Sequence, residues 1–342
     1  MLSAVYYGPR DIRAEERPIP TLGPRDVLIR ISHVGICGSD LEAYQNGGYA
    51  EGTIIGHEFV GTIEKAGAEV SDVAVGEYVT ADATAPCGSC RPCRLGRPSL
   101  CTALVMTGIN ADGALASYYG TPASLVHRLP KSIAPVHGPL IDPLSNVLHA
   151  LRISSFRTGS SVAVVGAGPI GLLLTNLLRV SGAAEVTVFE TNPARLALAA
   201  KLGADHGVNP MTENSGTAAD SLTGGEGYAV VFVASGAAKA VQSAYDLVSA
   251  GGEVVVVGIV EHVATADYLR VVMSELTVRG SYLGFNEVPA AIELLAGGKI
   301  RADAIVTRTV RGIPAAIEDA FPSLSTPTSV DGKIVVEVEE GS

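Results

Sequence analysis

Residues Ser160–Val165 (S-S-V-A-V-V) lead directly into Gly166-Ala167-Gly168-Pro169-Ile170-Gly171, and the apolar stretch Ile170–Val180 follows. A short apolar strand, a turn with glycine at its first, third and sixth positions, and a helix together open a parallel strand–helix–strand unit. In that setting Gly166 permits the tight turn, Gly168 lets a pyrophosphate approach the backbone, and Gly171 lets helix and strand pack closely. The anion rests on the free N–H groups at the helix start. Glu190 ends the next strand, Glu185–Glu190, nineteen residues beyond Gly171. A carboxylate there bonds ribose hydroxyls and repels a 2′-phosphate, so NAD is expected in preference to NADP. Arg195 lies close by and is either a phosphate partner or a solvated helix residue. Pro169, Ile170 and Gly258 complete the expected cofactor contacts.

The same alternation continues through a helix at Arg195–Leu202, a strand in G-A-D-H-G-V, then Tyr228–Val233, Ala237–Leu247, Glu253–Gly258 and Leu276–Ser281. It predicts a parallel sheet with helices on its faces. Leu276–Ser281 either lies inside that sheet or pairs across an interface. The first 145 residues differ. They show short strands such as Asp26–His33, Glu77–Ala81 and one within Thr53–Ala66, separated by glycine-rich turns, with helical periodicity almost absent. An antiparallel, barrel-like domain is expected there. Pro143–Leu151 is expected to be a bridging helix. The tail has helices at Pro289–Ala296 and near Ile313–Phe321, an exposed loop at Ser323–Ser329, and a strand in G-K-I-V-V-E-V that returns to the first domain.

Five cysteines carry the next constraint. Cys87, Cys90, Cys93 and Cys101 follow C-x2-C-x2-C-x7-C, and Cys37 stands alone, twenty residues before His57. Four thiolates at that spacing close tetrahedrally around one structural zinc and leave no position for substrate. The surrounding Pro86, Gly88, Gly96 and Pro98 form a loop with no core of its own. A nucleic-acid-binding zinc module would need basic and aromatic neighbours, whereas this loop offers Arg91, Arg94 and Arg97 and no aromatic residue. The net charge of −11 over 342 residues also argues against a polyanionic partner. The most apolar window, Val162–Val180, is broken by three glycines and a proline, and the amino terminus lacks a secretory signal, so no membrane partner is expected. Cysteines spaced for metal rather than for disulfides point to a reducing compartment, the cytoplasm.

Taken in order, G-I-C-G-S-D, the run Gly56-His57-Glu58-x-x-Gly61-x5-Gly67-x-x-Val70, the four-cysteine loop and G-A-G-P-I-G resemble the zinc-dependent medium-chain alcohol and polyol dehydrogenases over essentially the whole chain. The resemblance implies a GroES-like catalytic domain over residues 1–147 and 286–342 and a Rossmann NAD-binding domain over 148–285. It implies two zinc ions per subunit, one of them catalytic and held by Cys37 and His57. Asp142, in I-D-P-L-S-N, matches an acidic residue that relatives place before proline, and Glu58 matches a residue that ligates directly in some polyol dehydrogenases and supports the ligands in others. Ser39 matches the hydroxyl that bonds the substrate oxygen, and Asp40 a residue that orients His57. Glu42 stands where butanediol, sorbitol and threonine dehydrogenases often carry a relay histidine, a departure that puts such a relay in doubt. The implied reaction moves hydride between a secondary alcohol (a diol, polyol, sugar alcohol or amino alcohol) and NAD. L-Threonine 3-dehydrogenase or a cyclitol or sugar dehydrogenase is the alternative. A homo-oligomer is implied, tetramer before dimer.

Overall fold

The computed structural model describes residues 1–259, 266–326 and 329–338. The chain divides into two compact units: Met1–Asp142 with Val288–Gly297 and Val306–Ser342, and Pro143–Glu287 with Gly298–Ile305. No described helix is long and apolar enough to cross a membrane.

In the first unit the central sheet runs Val306–Arg311, Lys333–Glu337, Asp26–Gly35, Glu58–Ala66, Tyr78–Ala81, Val126–Arg128, and Tyr118–Pro122 also pairs with Asp26–Gly35. Asp26–Gly35 carries the alternation that buries Val27, Ile29 and Ile31 against Phe59, Ile63 and Val79. The expected return of the tail is met: Lys333–Glu337 lies antiparallel to that strand, with Val335 opposite Gly35. A small pair, Thr84–Ala85 with Val105–Met106, brackets the cysteine loop.

The second unit holds six parallel strands. Numbered along the chain, Ser161–Val165, Glu185–Phe189, His206–Val208, Tyr228–Val233, Val248–Val256 and Thr277–Gly280 take the order 3-2-1-4-5-6. That is a Rossmann sheet, whose strand order reverses beside the first strand. Ala163, Val165, Val231 and Val233 are buried within its core, as a parallel sheet covered on both faces requires.

Several expectations needed correction. Gly38–Asn46 is an α-helix in the region read as lacking helices, and Ser215–Thr223 and Tyr268–Met273 are further unforeseen helices. Leu276–Ser281 is shorter than expected, at Thr277–Gly280, and forms an edge of the sheet rather than its interior. The single helix at Ile313–Phe321 is three successive pieces: α-helical Ile313–Ala315, a π-helical turn at Ala316–Ala320, and α-helical Phe321–Leu324. The last piece takes Ser323 out of the loop expected at Ser323–Ser329, of which residues 327–328 lie outside the described residues.

Candidate catalytic and cofactor sites

Cys37 is the N-cap of Gly38–Asn46, and Asp40 in that helix's first turn accepts the Cys37 N–H through Oδ2 at 3.2 Å. His57 immediately precedes the strand Glu58–Ala66, so the strand's start fixes it beside the helix cap. The Cys37 Sγ, a His57 ring nitrogen and a Glu58 carboxylate oxygen lie within 4.8 Å of one another. His57 and Glu58 are buried, at 7% and 1% exposure. Asp40 is buried too, and its Oδ1 lies 3.6 Å from His57 Nδ1, too long for a hydrogen bond but close enough to orient the ring. That Nδ1 has no hydrogen-bond partner among the described residues, a costly state for a buried nitrogen unless the ring is held in another way. Thiolate, imidazole and carboxylate in one pocket form a donor set suited to zinc.

The electrostatics agree. Burial works against a charged His57, but the facing Asp40 and Cys37 outweigh it and raise the pKa well above the ordinary imidazole value. Ligation of a metal there would release a proton. Asp142, in the first turn of the helix Ile141–Ile153, is not within the close spacing of the other three groups. It remains near enough to feel His57 and Glu58, and burial pushes its carboxyl up to about 6. A carboxyl held up by burial ionises readily once a cation arrives beside it.

The four remaining cysteines place their sulfurs within 4.8 Å of one another. None is in a disulfide. Backbone N–H groups of Cys87 and Ala103 point at Cys101 Sγ, at 3.2 and 3.4 Å, and the Cys90 N–H at Cys87 Sγ, at 3.4 Å. Hydrogen bonds from Ser89, with the Cys90 amide, bring the Cys87 thiol down to about 6, toward the thiolate that a metal binds.

In the second unit the glycine turn has the geometry that a dinucleotide requires. Gly166 has φ +99°, a conformation that other residues avoid. A methyl group on Gly171 would strike the Gly166 carbonyl, whereas one on Gly168 would meet nothing, so the backbone at Gly168 stays open to a ligand. Pro169 and Ile170 form the first turn of the helix Pro169–Val180, whose N-cap is Gly168. Glu190 reaches back to this turn: its Oε2 accepts the Ala167 N–H at 2.7 Å and its Oε1 the Asn192 N–H at 2.8 Å. Gly258 follows the fifth strand and donates to the Val233 carbonyl at 3.0 Å. Arg195 is half-buried rather than fully solvated, and its Nε has no partner among the described residues.

Residues 23–131 match the alcohol dehydrogenase GroES-like domain, and residues 169–297 the zinc-binding dehydrogenase domain. The chain is 33% identical to L-threonine 3-dehydrogenase of Mesorhizobium japonicum, over 94% of each protein. The chain belongs to the zinc-dependent medium-chain alcohol and polyol dehydrogenases. Solved relatives share the whole architecture. The 2R,3R-butanediol dehydrogenase of Bacillus subtilis superposes with TM-score 0.91 at 29% identity, covering 99% of each chain. A zinc-binding dehydrogenase of Sinorhizobium meliloti 1021 bound to NADP gives 0.90 at 30% identity, covering 98% of each.

The dehydrogenase has two residues at this site that its sequence did not reveal. Tyr49 donates to Asp40 Oδ1 at 3.2 Å, interacts with the Ser39 side chain and packs its ring on Tyr6. Lys333 pairs with Glu58 from 275 residues away. Glu42 accepts a hydrogen bond from the Asn46 side-chain amide, one helical turn on. Beside Ser39 lies the Tyr49 phenol.

Proposed function

We propose that this dehydrogenase oxidises a secondary alcohol bearing a second polar group (a diol, polyol, sugar alcohol or amino alcohol) with NAD as acceptor and two zinc ions per chain. The observation that carries this reading is the convergence of the partly buried Cys37 with the buried His57 and Glu58, with Asp142 in electrostatic reach. Cys37, His57 and one of the two carboxylates would hold the catalytic zinc, and Cys87, Cys90, Cys93 and Cys101 the structural one. When bound, zinc polarises the substrate oxygen and the nicotinamide accepts hydride. The chain's own residues do the rest. Ser39 takes the substrate's hydroxyl proton and passes it toward Tyr49, Asp40 fixes His57 and Cys37 together, and burial excludes competing water.

The test is reduction of NAD and NADP against butanediol stereoisomers, sorbitol, xylitol, inositols, L-threonine and 2-propanol at mildly alkaline pH. Turnover on one polar class with NAD is the expected result. Strong turnover on L-threonine alone would select the amino-alcohol reading, which the M. japonicum relative and the I-D-P-L-S-N run support. A chain with two zinc ions and no turnover on any of these would overturn the proposal.

NAD is favoured because the Glu190 carboxylate already bonds the glycine turn, where ribose hydroxyls would arrive. Glu190→Ala should raise KM for NAD by about 10- to 100-fold, the equivalent of a lost charged hydrogen bond of about 1.5–3 kcal/mol. Steady-state kinetics with both cofactors checks this, and an unchanged KM for NAD would remove Glu190 from the selector role.

The exposed flank of the Rossmann unit supports a homo-oligomer. Tyr268, Leu269, Val272 and Met273 are 72–76% exposed, next in sequence to the edge strand Thr277–Gly280. An edge strand beside an apolar helix suits a second copy of the same chain, which can pair with it about a twofold axis. The Leu269→Glu/Met273→Glu variant is expected to halve the particle mass in light scattering. A monomeric wild type would exclude this surface as an interface. The disulfide-free cysteines accord with a cytoplasmic location.

A further inference from the structure

The Lys333 ammonium meets both Glu58 carboxylate oxygens, at 2.8 and 2.6 Å, and its remaining donor reaches the Ile36 carbonyl at 3.0 Å. All three donors of the ammonium are thus used. Both side chains are 1% exposed. The sheet explains how they meet. Lys333–Glu337, Asp26–Gly35 and Glu58–Ala66 are three adjacent strands, in which Gly35 lies opposite Glu58 on one side and Val335 on the other. Lys333, two residues before Val335, shares its face. The middle position carries no side chain, and a methyl group on Gly35 would collide with Glu58 Oε2. Carboxylate and ammonium therefore close over a glycine.

A buried cation next to a set of metal ligands opposes the metal's own charge, so its presence calls for a function. Proximity alone would make Glu58 a ligand, since its oxygen lies within 4.8 Å of both the Cys37 sulfur and a His57 ring nitrogen. Each of its oxygens, however, already accepts a charge-assisted bond that ligation would weaken. We propose that Lys333 is a positioning residue that holds Glu58 off the catalytic zinc, leaving Cys37, His57 and Asp142 as the protein ligands and the fourth position to substrate. This rests on the reading that Cys37 and His57 bind zinc. Lys333 thereby sets both the coordination number and the charge of the centre.

The test uses the full chain with cobalt(II) exchanged into the faster-exchanging site and zinc left on the four cysteines, one of each per chain. The readouts are the visible cobalt spectrum and the rate of cobalt loss to a chelator. Lys333→Met frees Glu58 to join the metal, so the visible bands should weaken as coordination rises above four, and cobalt loss should slow by about tenfold. Glu58→Gln/Lys333→Met has no carboxylate to contribute and should return both readouts to the wild-type values. Lys333→Gln keeps amide donors to Glu58 without charge, is easier to accommodate, and should give an intermediate change. Wild-type spectra and release rates in both single variants, or a change that persists in the double variant, would overturn the proposal. A wild-type chain that takes up metal only on the four cysteines would instead overturn the underlying zinc reading, and this proposal with it.

Discussion

His57→Ala is expected to lower alcohol oxidation by about a thousandfold or more, with the fold intact. His57 supplies the single imidazole of the Cys37, His57 and Glu58 cluster, and polarisation of a substrate oxygen by a metal is worth several kcal/mol, each 1.4 of which is about tenfold in rate. An alanine also leaves Asp40 without the ring it faces. The four-cysteine loop lies elsewhere in the chain, so metal analysis should fall from two zinc ions to one rather than to none. Cofactor affinity should persist, because the glycine turn belongs to the other compact unit. Turnover near the wild-type value from a protein retaining one zinc would show that the chemistry lies outside this cluster.

Glu58→Ala should be the most destabilising single substitution at the site. It leaves Lys333 at 1% exposure with one neutral carbonyl in place of two carboxylate oxygens. Removing one partner of a buried ion pair typically costs about 3–5 kcal/mol, far more than the pair contributes over a well-packed apolar substitute. Glu58→Leu/Lys333→Met should therefore recover most of the loss. Denaturant midpoints of the metal-free proteins compare the two directly. If the single variant is as stable as the wild type, Lys333 has found solvent or another acceptor, and the pair is not a closed one.

Much of the architecture is written locally in the sequence. The turn Gly166–Gly171 follows an apolar strand and opens an apolar helix, and the four cysteines are spaced within one loop, so both can be read without knowing the fold. The helix Gly38–Asn46 could not be read in this way. Only Asp40 and Ala43 are buried along it, too few to print a helical stripe, and its start is marked by an unusual cysteine cap with an aspartate three residues on. Ser215–Thr223 is similarly quiet, built from small and polar residues behind an Asn214 cap. Cys37 and His57 sit on separate elements, so their company with Glu58 follows from the family resemblance and from no local pattern. Lys333 sits at the head of an ordinary strand, K-I-V-V-E, and nothing in its neighbours signals a buried charge. Its role depends on a pairing across three strands, a property of register that no local pattern carries.

The position of Lys333 also bears on the order of events during synthesis. The helix cap, the histidine and the glutamate all come from the first sixty residues, yet the lysine that completes their surroundings arrives with the strand Lys333–Glu337, after the entire Rossmann unit. A ribosome adds some 5–20 residues each second, so on the order of ten seconds or more separate the two. Through that interval Glu58 has no countercharge and the sheet ends at an open edge. Metal captured early would meet a carboxylate free to bind it, which the last strand would then have to draw away. On the proposed role of Lys333, the centre would be assembled in two stages, first by ligands from the earlier part of the chain and then by a cation that revises their choice.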